Sequence, residues 1–157
     1  RFGQTREQEF AQTDAGLPVY HRVLRPWWMR QALPTAWGRY RRTVARIASG
    51  RGDNRAVFEA ELPEGGRWLL QYHVPSLRVT GLFSQAWGPQ DELGTYHLEV
   101  VAGQTKEVVD FDAAAADTGW NEVDVFDLPA GTVKVSVSNN TTGATVVADA
   151  IRWDRRP

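Results

Sequence analysis

Residues 55–75 read RAVFEAELPEGGRWLLQYHVP, and this stretch determines the expected fold class more clearly than any other. Apolar side chains occupy positions 56, 58, 60 and 62 and glutamates occupy 59 and 61, which fits the two-residue period of a strand with one buried face. The turn-forming letters PEGG follow at 63–66, and a second alternating segment begins after them. The stretch predicts two strands, and its four-residue connection predicts that they pair as a hairpin.

Similar short segments, bounded by Gly, Pro, Asn and Asp, continue along the chain. TYHLEVVAG and KEVVDFDA predict a second hairpin around Gly103, and TVKVSVSNN alternates valine with polar residues over 132–140. No long amphipathic helix interrupts them. About eight strands at roughly ten-residue spacing predict an all-β fold, an antiparallel β-sandwich of jelly-roll-like form.

The first 36 residues have no clear period and contain three prolines. We expect an irregular N-terminal extension with a short strand in VYHRVL and one helical turn in PWWMRQAL, opened by Pro26. A chain of 157 residues needs only one core. The predicted organisation is an extended lead-in over residues 1–36 that packs on the sandwich, and the sandwich itself over 37–157.

The net charge of −1 conceals an asymmetry between the two ends of the chain. Residues 1–55 hold 11 Arg against 4 acids, whereas residues 56–157 hold 7 Lys or Arg against 15 acids. The arginines of WGRYRRTVAR could pair with phosphates, but basic nucleic-acid binders usually have a basic pI. We therefore expect no nucleic-acid partner, and we interpret Arg39, Arg41 and Arg46 as a solvated face or as partners of the acidic half.

Catalytic and metal-binding motifs are weak throughout. The chain has no cysteine, and it lacks the sequence patterns of serine hydrolases, zinc peptidases and phosphate-binding loops. His97 and Glu99 share a strand face and could ligate a metal, but they have no evident third ligand. The paired carboxylates at 110 and 112 and at 122 and 124 have a spacing that would suit glycosidase acids, but the same spacing is typical of any solvent-exposed strand face. We expect a non-enzyme without a cofactor and assign no metal site, although calcium near these acids is a better interpretation than catalysis.

Three motifs stand in order in the last third of the chain: Gly119-Trp120 before an apolar strand, LPAG at 128–131, and VVADAIRW at 146–153. Together with the 55–75 stretch, they resemble the golvesin-type domain, also described as the carbohydrate-binding-like domain of xanthan lyase. The resemblance covers roughly residues 37–153. It implies a non-catalytic β-sandwich attached to secreted or surface enzymes, such as polysaccharide lyases, peptidases and glycosidases.

Seven tryptophans offer flat surfaces on which a sugar ring can stack. Trp68 and Trp153 lie in phase with apolar faces and Trp120 lies in the family motif, so we assign these three to packing. Trp87, near Phe83 in the loop-like stretch 76–94, is the leading candidate for a ligand-binding platform. Trp28, with its neighbour Trp27, comes second as a ligand-binding candidate, and for that pair we favour docking against the sandwich or another domain.

Asp149 is an acid at the centre of an apolar strand pattern. Alternation through residues 145–153 places its carboxylate on the face that should be buried, where an unpaired charge would be costly. We expect it to find backbone N–H donors in an adjoining loop, or a nearby Arg, and to act as a structural latch between that loop and the closing strand.

The expected function is a non-catalytic accessory domain of a larger secreted or membrane-associated enzyme, outside the cytoplasm, that binds carbohydrate through loop aromatics. The expected partners are the other domains of the parent protein and a polysaccharide, without direct membrane insertion. The chain starts at Arg1 rather than Met, so we expect that it is a piece of a longer protein. The alternative is a structural or interaction domain that docks on its parent peptidase, hydrolase or membrane protein and binds no sugar.

Overall fold

The computed structural model describes residues 10–12, 18–20, 26–40, 42–77 and 92–157. The described strands are β1 (Phe10–Gln12), β2 (Pro18–Tyr20), β3 (Met29–Ala32), β4 (Thr43–Ala48), β5 (Arg55–Leu62), β6 (Gly66–Val74), β7 (Thr95–Ala102), β8 (Thr105–Asp112), β9 (Gly119–Leu128), β10 (Gly131–Thr141), β11 (Thr145–Ala148) and β12 (Ala150–Arg155). Every pairing among them is antiparallel, and this part of the chain contains no α-helix. The predicted all-β sandwich class is confirmed.

Ten of these strands form three sheets, while β1 and β2 pair only with each other. Sheet 1 has the order β5-β10-β7-β8, sheet 2 the order β12-β6-β9, and sheet 3 the order β11-β4-β3. The core between sheets 1 and 2 is centred on Tyr72 of β6, whose ring contacts Phe58, Tyr96 and Phe111 of sheet 1 at centroid distances of 6.1, 5.9 and 5.4 Å. Sheets 1 and 2 therefore form the two layers of the sandwich.

The predicted hairpin in residues 55–75 is wrong, although both of its strands exist. β5 pairs with β10 in sheet 1, whereas β6 lies between β12 and β9 in sheet 2. The PEGG connection is therefore an arch that carries the chain from one layer to the other. β6 is buried from Trp68 to Val74 and is the central strand of sheet 2, so both of its edges are already paired, with β12 and with β9.

A second arch, between β9 and β10, lies beside the first. Leu128 pairs with Gly66 in sheet 2, and Gly131 pairs with Leu62 in sheet 1, so the two crossings are neighbours. Gly66 and Gly131 have φ angles of 141° and 111°, which residues with a side chain rarely adopt. Glycine at these positions lets both arches turn sharply between the layers.

The hairpin predicted around Gly103 is confirmed, since β7 and β8 pair along their whole length. The helical turn predicted in PWWMRQAL is wrong. Residues 29–32 of that segment form β3, which pairs with β4 and precedes the fully buried Leu33. Cross-strand pairing and burial outweigh the weak local signal of Pro26 for a helix start. The strand predicted in VYHRVL overlaps β2 at Val19 and Tyr20, and residues 21–25 lie outside the described part of the chain.

The closing segment is two strands and not the single strand that its pattern predicts. β11 pairs with β4 in sheet 3, and β12 pairs with β6 in sheet 2, with Asp149 between them. The chain therefore changes sheet at this acid.

Both backbone polar groups of Val147 in β11 bond to buried tyrosine hydroxyls. The N–H donates to the Tyr96 hydroxyl at 2.9 Å, and the carbonyl accepts from the Tyr72 hydroxyl at 2.8 Å. β11 is an edge strand of sheet 3, so the backbone groups on its outer edge have no neighbouring strand in that sheet. The two tyrosine hydroxyls supply the hydrogen bonds that such groups need when they are buried. Burial raises the pKa of Tyr72 and of Tyr96 well above the usual tyrosine range, so both phenols stay neutral.

Removing either hydroxyl should destabilise the fold. Tyr72→Phe and Tyr96→Phe each leave one buried backbone group of Val147 unpaired, so we expect a loss of about 1–3 kcal/mol in the free energy of unfolding. Tyr40→Phe is the matched control, because Tyr40 is 90% exposed. Urea denaturation measures all three, and unchanged midpoints for both core variants would show that these bonds contribute nothing.

Candidate functional site

The corner at Asp149 is the starting point of the candidate site. The side chain of Asp149 is 1% exposed, so the carboxylate is buried as the alternation predicts. Its backbone lies between β11 and β12, where sheet 3 passes into sheet 2. A buried acid at such a corner can bond to groups from several elements at once.

Two groups from the described part of the chain bond to this carboxylate. The Trp37 N–H lies 3.2 Å from Oδ1 and 3.0 Å from Oδ2, and His73 Nδ1 lies 2.7 Å from Oδ2. Trp37 belongs to the loop between β3 and β4, and His73 lies near the end of β6. The carboxylate thus joins a loop to two sheets, although its role as a structural latch stays a prediction.

Burial raises the pKa of the Asp149 carboxyl above its usual range. The Trp37 N–H and the His73 ring stabilise the charged form and act in the opposite direction, but the loss of hydration is the larger effect. The ionised carboxylate is therefore held in place at a cost in stability, which its bonds only partly offset.

An aromatic cluster covers the same corner on the outer face of sheet 2. The rings of Trp37 and Trp120 meet edge to face with centroids 6.0 Å apart, and His73 meets Trp120 in the same way at 5.1 Å. The Arg152 guanidinium lies 4.8 Å from the centre of the Trp120 ring, where a cation is attracted to the π face. Trp120 is thereby packed on several sides, while Trp37 remains 56% exposed.

Two open recesses meet at Trp37. The larger, which we call the inter-sheet groove, has a volume of about 600 Å³ and lies between β5 and β12. Its aromatic lining consists of Trp37, Phe58, Trp68 and Trp153. The smaller, which we call the basic recess, has a volume of about 440 Å³ and is lined by Ala36, Trp37, Gly38, Arg39, Arg42 and His73. Both volumes fall in the range of about 300–1,000 Å³ that is usual for small-ligand sites.

The sequence-based ligand candidates do not come together in this site. Trp87 and Phe83 lie outside the described residues, so their roles stay predictions. Trp28 is partly buried against the core and lines neither recess. Its neighbour Trp27 is 52% exposed and is also absent from both linings.

The tryptophans assigned to packing have different environments. Trp68 is buried, and Trp153 packs edge to face against Phe126 with centroids 6.0 Å apart. Trp68 and Trp153 also form part of the groove wall, a contribution that the sequence did not suggest. The Trp120 ring packs edge to face against the Trp37 ring, and Trp120 lines neither recess.

Sequence reasoning missed Trp37 and His73. Trp37 looked like the first residue of the strand region, and His73 falls at a position that alternation assigns to the outer face of β6. The one sequence signal that pointed to this region was the segment 26–52, which contains six Arg and no Asp or Glu.

One arginine of that segment, Arg46, is a partner of the acidic half of the chain, which is one of its two predicted roles. It is buried, and its guanidinium lies 3.7 Å from the Glu92 carboxylate.

Several of the residues considered for catalysis or metal binding form surface ion pairs. His97 Nδ1 lies 2.5 Å from Asp110, and Glu99 pairs with Lys106 at 3.1 Å and with Arg55 at 3.5 Å. Among the described residues, no group of three or more His, Asp or Glu side chains is placed to hold a metal ion.

No family model matches this chain, and neither a curated protein nor a solved structure shows a significant match to it. Within the described ranges, no helix is both long enough and apolar enough to cross a bilayer.

Replacing Asp149 tests how the corner is held. Asp149→Ala removes the acceptor of the Trp37 N–H and the partner of His73, so we expect a loss of about 1–3 kcal/mol in stability at neutral pH. Asp149→Asn is the matched variant, because an amide offers one oxygen to Trp37 and one N–H to His73. We expect a smaller loss for it in chemical denaturation, and equal losses for the two variants would contradict the proposed bonding.

The raised pKa of Asp149 also predicts a pH dependence with a definite sign. Between its raised folded value and the unfolded value of about 3.9, the folded protein binds a proton more readily than the unfolded chain. The contribution of Asp149 to stability therefore increases as the pH falls through this window. The stability of the parent protein relative to Asp149→Asn should therefore rise as the pH falls through this window. The reverse trend in denaturant titrations would show that the pKa is lowered.

Proposed function

We propose that this chain is a non-catalytic β-sandwich module that binds carbohydrate through loop aromatics and belongs to a larger extracytoplasmic protein. The observation that carries the proposal is Trp37, a half-exposed indole held at the meeting point of the inter-sheet groove and the basic recess. An indole at the rim of a groove gives a pyranose ring an apolar surface on which to stack. The motif resemblance to golvesin-type domains is part of this proposal.

Both the backbone and the side chain of Trp37 are held in place, which suits a recognition platform. The backbone N–H of Trp37 donates to the Asp149 carboxylate, and the indole ring packs against Trp120. The Arg152 guanidinium in turn lies over the Trp120 ring. A side chain that is already ordered loses little conformational entropy when a ligand stacks on it. The exposed face of Trp37 is therefore prepared for binding.

Polar groups near the groove could select the hydroxyls of a sugar. Glu59 and Glu61 lie along its β5 wall, and carboxylates accept hydrogen bonds from hydroxyl groups. The rest of the lining is mostly apolar or aromatic, which is the usual composition of a carbohydrate groove with a few orienting polar groups.

The alternative, an interaction domain that docks on its parent protein, is favoured by one observation. β5 and β12 are edge strands of their sheets, so among the described residues no strand pairs with their outer sides. The apolar groove runs between these edges, and an extended segment of another domain could add to either of them. Under this alternative, the groove binds polypeptide and not sugar.

Trp37→Ala tests the carbohydrate proposal directly. The variant loses the indole but keeps the backbone N–H that bonds Asp149, so it should fold normally. We expect about tenfold weaker binding of polysaccharide, because one stacking surface is lost. Affinity electrophoresis against a panel of soluble polysaccharides, followed by calorimetry on those that bind, measures the change.

Trp27→Ala is the matched control, since Trp27 is 52% exposed but lines neither recess. It should bind like the parent domain. Trp87→Ala, tested in parallel, separates the sequence-based platform from Trp37. If the parent domain binds no polysaccharide in the panel, the carbohydrate proposal is wrong. If the parent binds and Trp37→Ala binds equally well, Trp37 is not the platform.

A further inference from the structure

We infer that the basic recess beside Trp37 binds an oxyanion, so that the ligand of the proposed site is an acidic polysaccharide whose carboxylate or sulfate group enters this recess. The inference rests on the proposed function and names its ligand class. It depends on the charge, the pairing and the positioning of three side chains: Arg39, Arg42 and His73.

The lining of the basic recess contains no acid. Its ionisable side chains are the guanidinium groups of Arg39 and Arg42 and the imidazole of His73, and its remaining lining residues are Ala36, Trp37 and Gly38. A guanidinium presents a planar fork of N–H donors that matches the two oxygens of a carboxylate or sulfate. A sugar stacked on Trp37 would lie at the mouth of this recess and could extend an acidic substituent into it.

Neither Arg39 nor Arg42 forms an ion pair with a carboxylate in the described part of the chain. By contrast, two arginines near the C-terminal end of the described chain are paired, since Arg155 lies 3.0 Å from Glu64 and Arg156 lies 2.9 Å from Glu122. The two arginines of the recess both belong to the segment 26–52, which contains six Arg and no acid. Within the described residues, the two guanidiniums of the recess therefore carry positive charge that no carboxylate pairs with.

The recess is also built from positioned groups. Arg42 Nη1 donates to the Pro34 carbonyl at 2.8 Å, which uses one of the five N–H donors of the guanidinium and orients the rest. His73 Nδ1 is bonded to Asp149, so its Nε2 is the ring nitrogen that can contact a ligand. The Asp149 side chain itself is 1% exposed and is not among the residues that line the basic recess.

Positive charge at this site is local, which favours an acidic sugar over a nucleic acid. The whole chain has a net charge of −1 and a sequence pI of about 6.3, and the groove on the other side of Trp37 carries Glu59 and Glu61. A nucleic-acid backbone needs a basic surface that continues over several phosphates. One acidic group flanked by neutral sugar surface fits the combination of basic recess and aromatic groove.

The test uses two matched pairs of polymers: a polyuronate with its carboxyl-reduced form, and a sulfated glycan with its desulfated form. Calorimetry with the parent domain should show at least one acidic polymer binding about tenfold tighter than its neutral counterpart. Arg39→Gln and Arg42→Gln should each remove most of this preference while leaving the affinity for the neutral polymer unchanged. The pair that shows the preference distinguishes a carboxylate from a sulfate.

Arg51→Gln is the matched control, because Arg51 is exposed in the same basic segment, and the variant changes the net charge equally without touching the recess. It should keep the preference for the acidic polymer. An equal loss in Arg51→Gln would show diffuse electrostatic attraction and overturn the recess. Equal binding of acidic and neutral polymers, lost in Trp37→Ala, would overturn the inference but leave the carbohydrate site in place. Binding of single-stranded DNA or of anionic vesicles, with no binding of any polymer, would overturn both.

Discussion

The hydrogen bonds at Val147 are the constraint on which the rest of the structure depends. Val147 lies on an edge strand whose polar groups would be buried without partners if the core closed over them, and each such group would cost about 1–3 kcal/mol. Tyr72 of sheet 2 and Tyr96 of sheet 1 supply the two hydroxyls, so all three sheets meet at a single residue. The rings of the two tyrosines also touch at a centroid distance of 5.9 Å. The same two side chains therefore fill the core and complete the backbone bonding of sheet 3.

Two residues further on, the same chain segment produces the candidate site. With Val147 fixed, Asp149 is the residue at which the chain turns from sheet 3 into sheet 2, and its carboxylate is buried by that turn. The bonds that a buried carboxylate needs come from the loop before β4 and from the end of β6. These bonds bring Trp37 and His73 together, although 36 residues separate them in the chain. The binding surface that we propose thus follows from satisfying a buried charge.

The arginines of the basic N-terminal region have two different environments in the folded protein. Arg46 is buried and its guanidinium lies 3.7 Å from Glu92. Arg39 and Arg42 instead line a recess that no acid shares. A single run of basic residues therefore provides both internal pairing and an exposed positive site. This division depends on where each residue falls relative to β4, because the strand carries Arg46 inward while the loop before it stays at the surface.

The sequence by itself determined the strands, because a two-residue alternation of apolar and polar side chains needs no knowledge of distant residues. It located β5, β6, the β7–β8 hairpin and the burial of Asp149 correctly. It could not decide which strands pair, since a four-residue connection such as PEGG serves a hairpin and an inter-sheet arch equally well. It also missed the site at Trp37, because this site joins the loop before β4 to an imidazole of β6 and a carboxylate that follows β11. Only the tertiary structure decided these features, since the closing of the sheets determines which side chains share a surface.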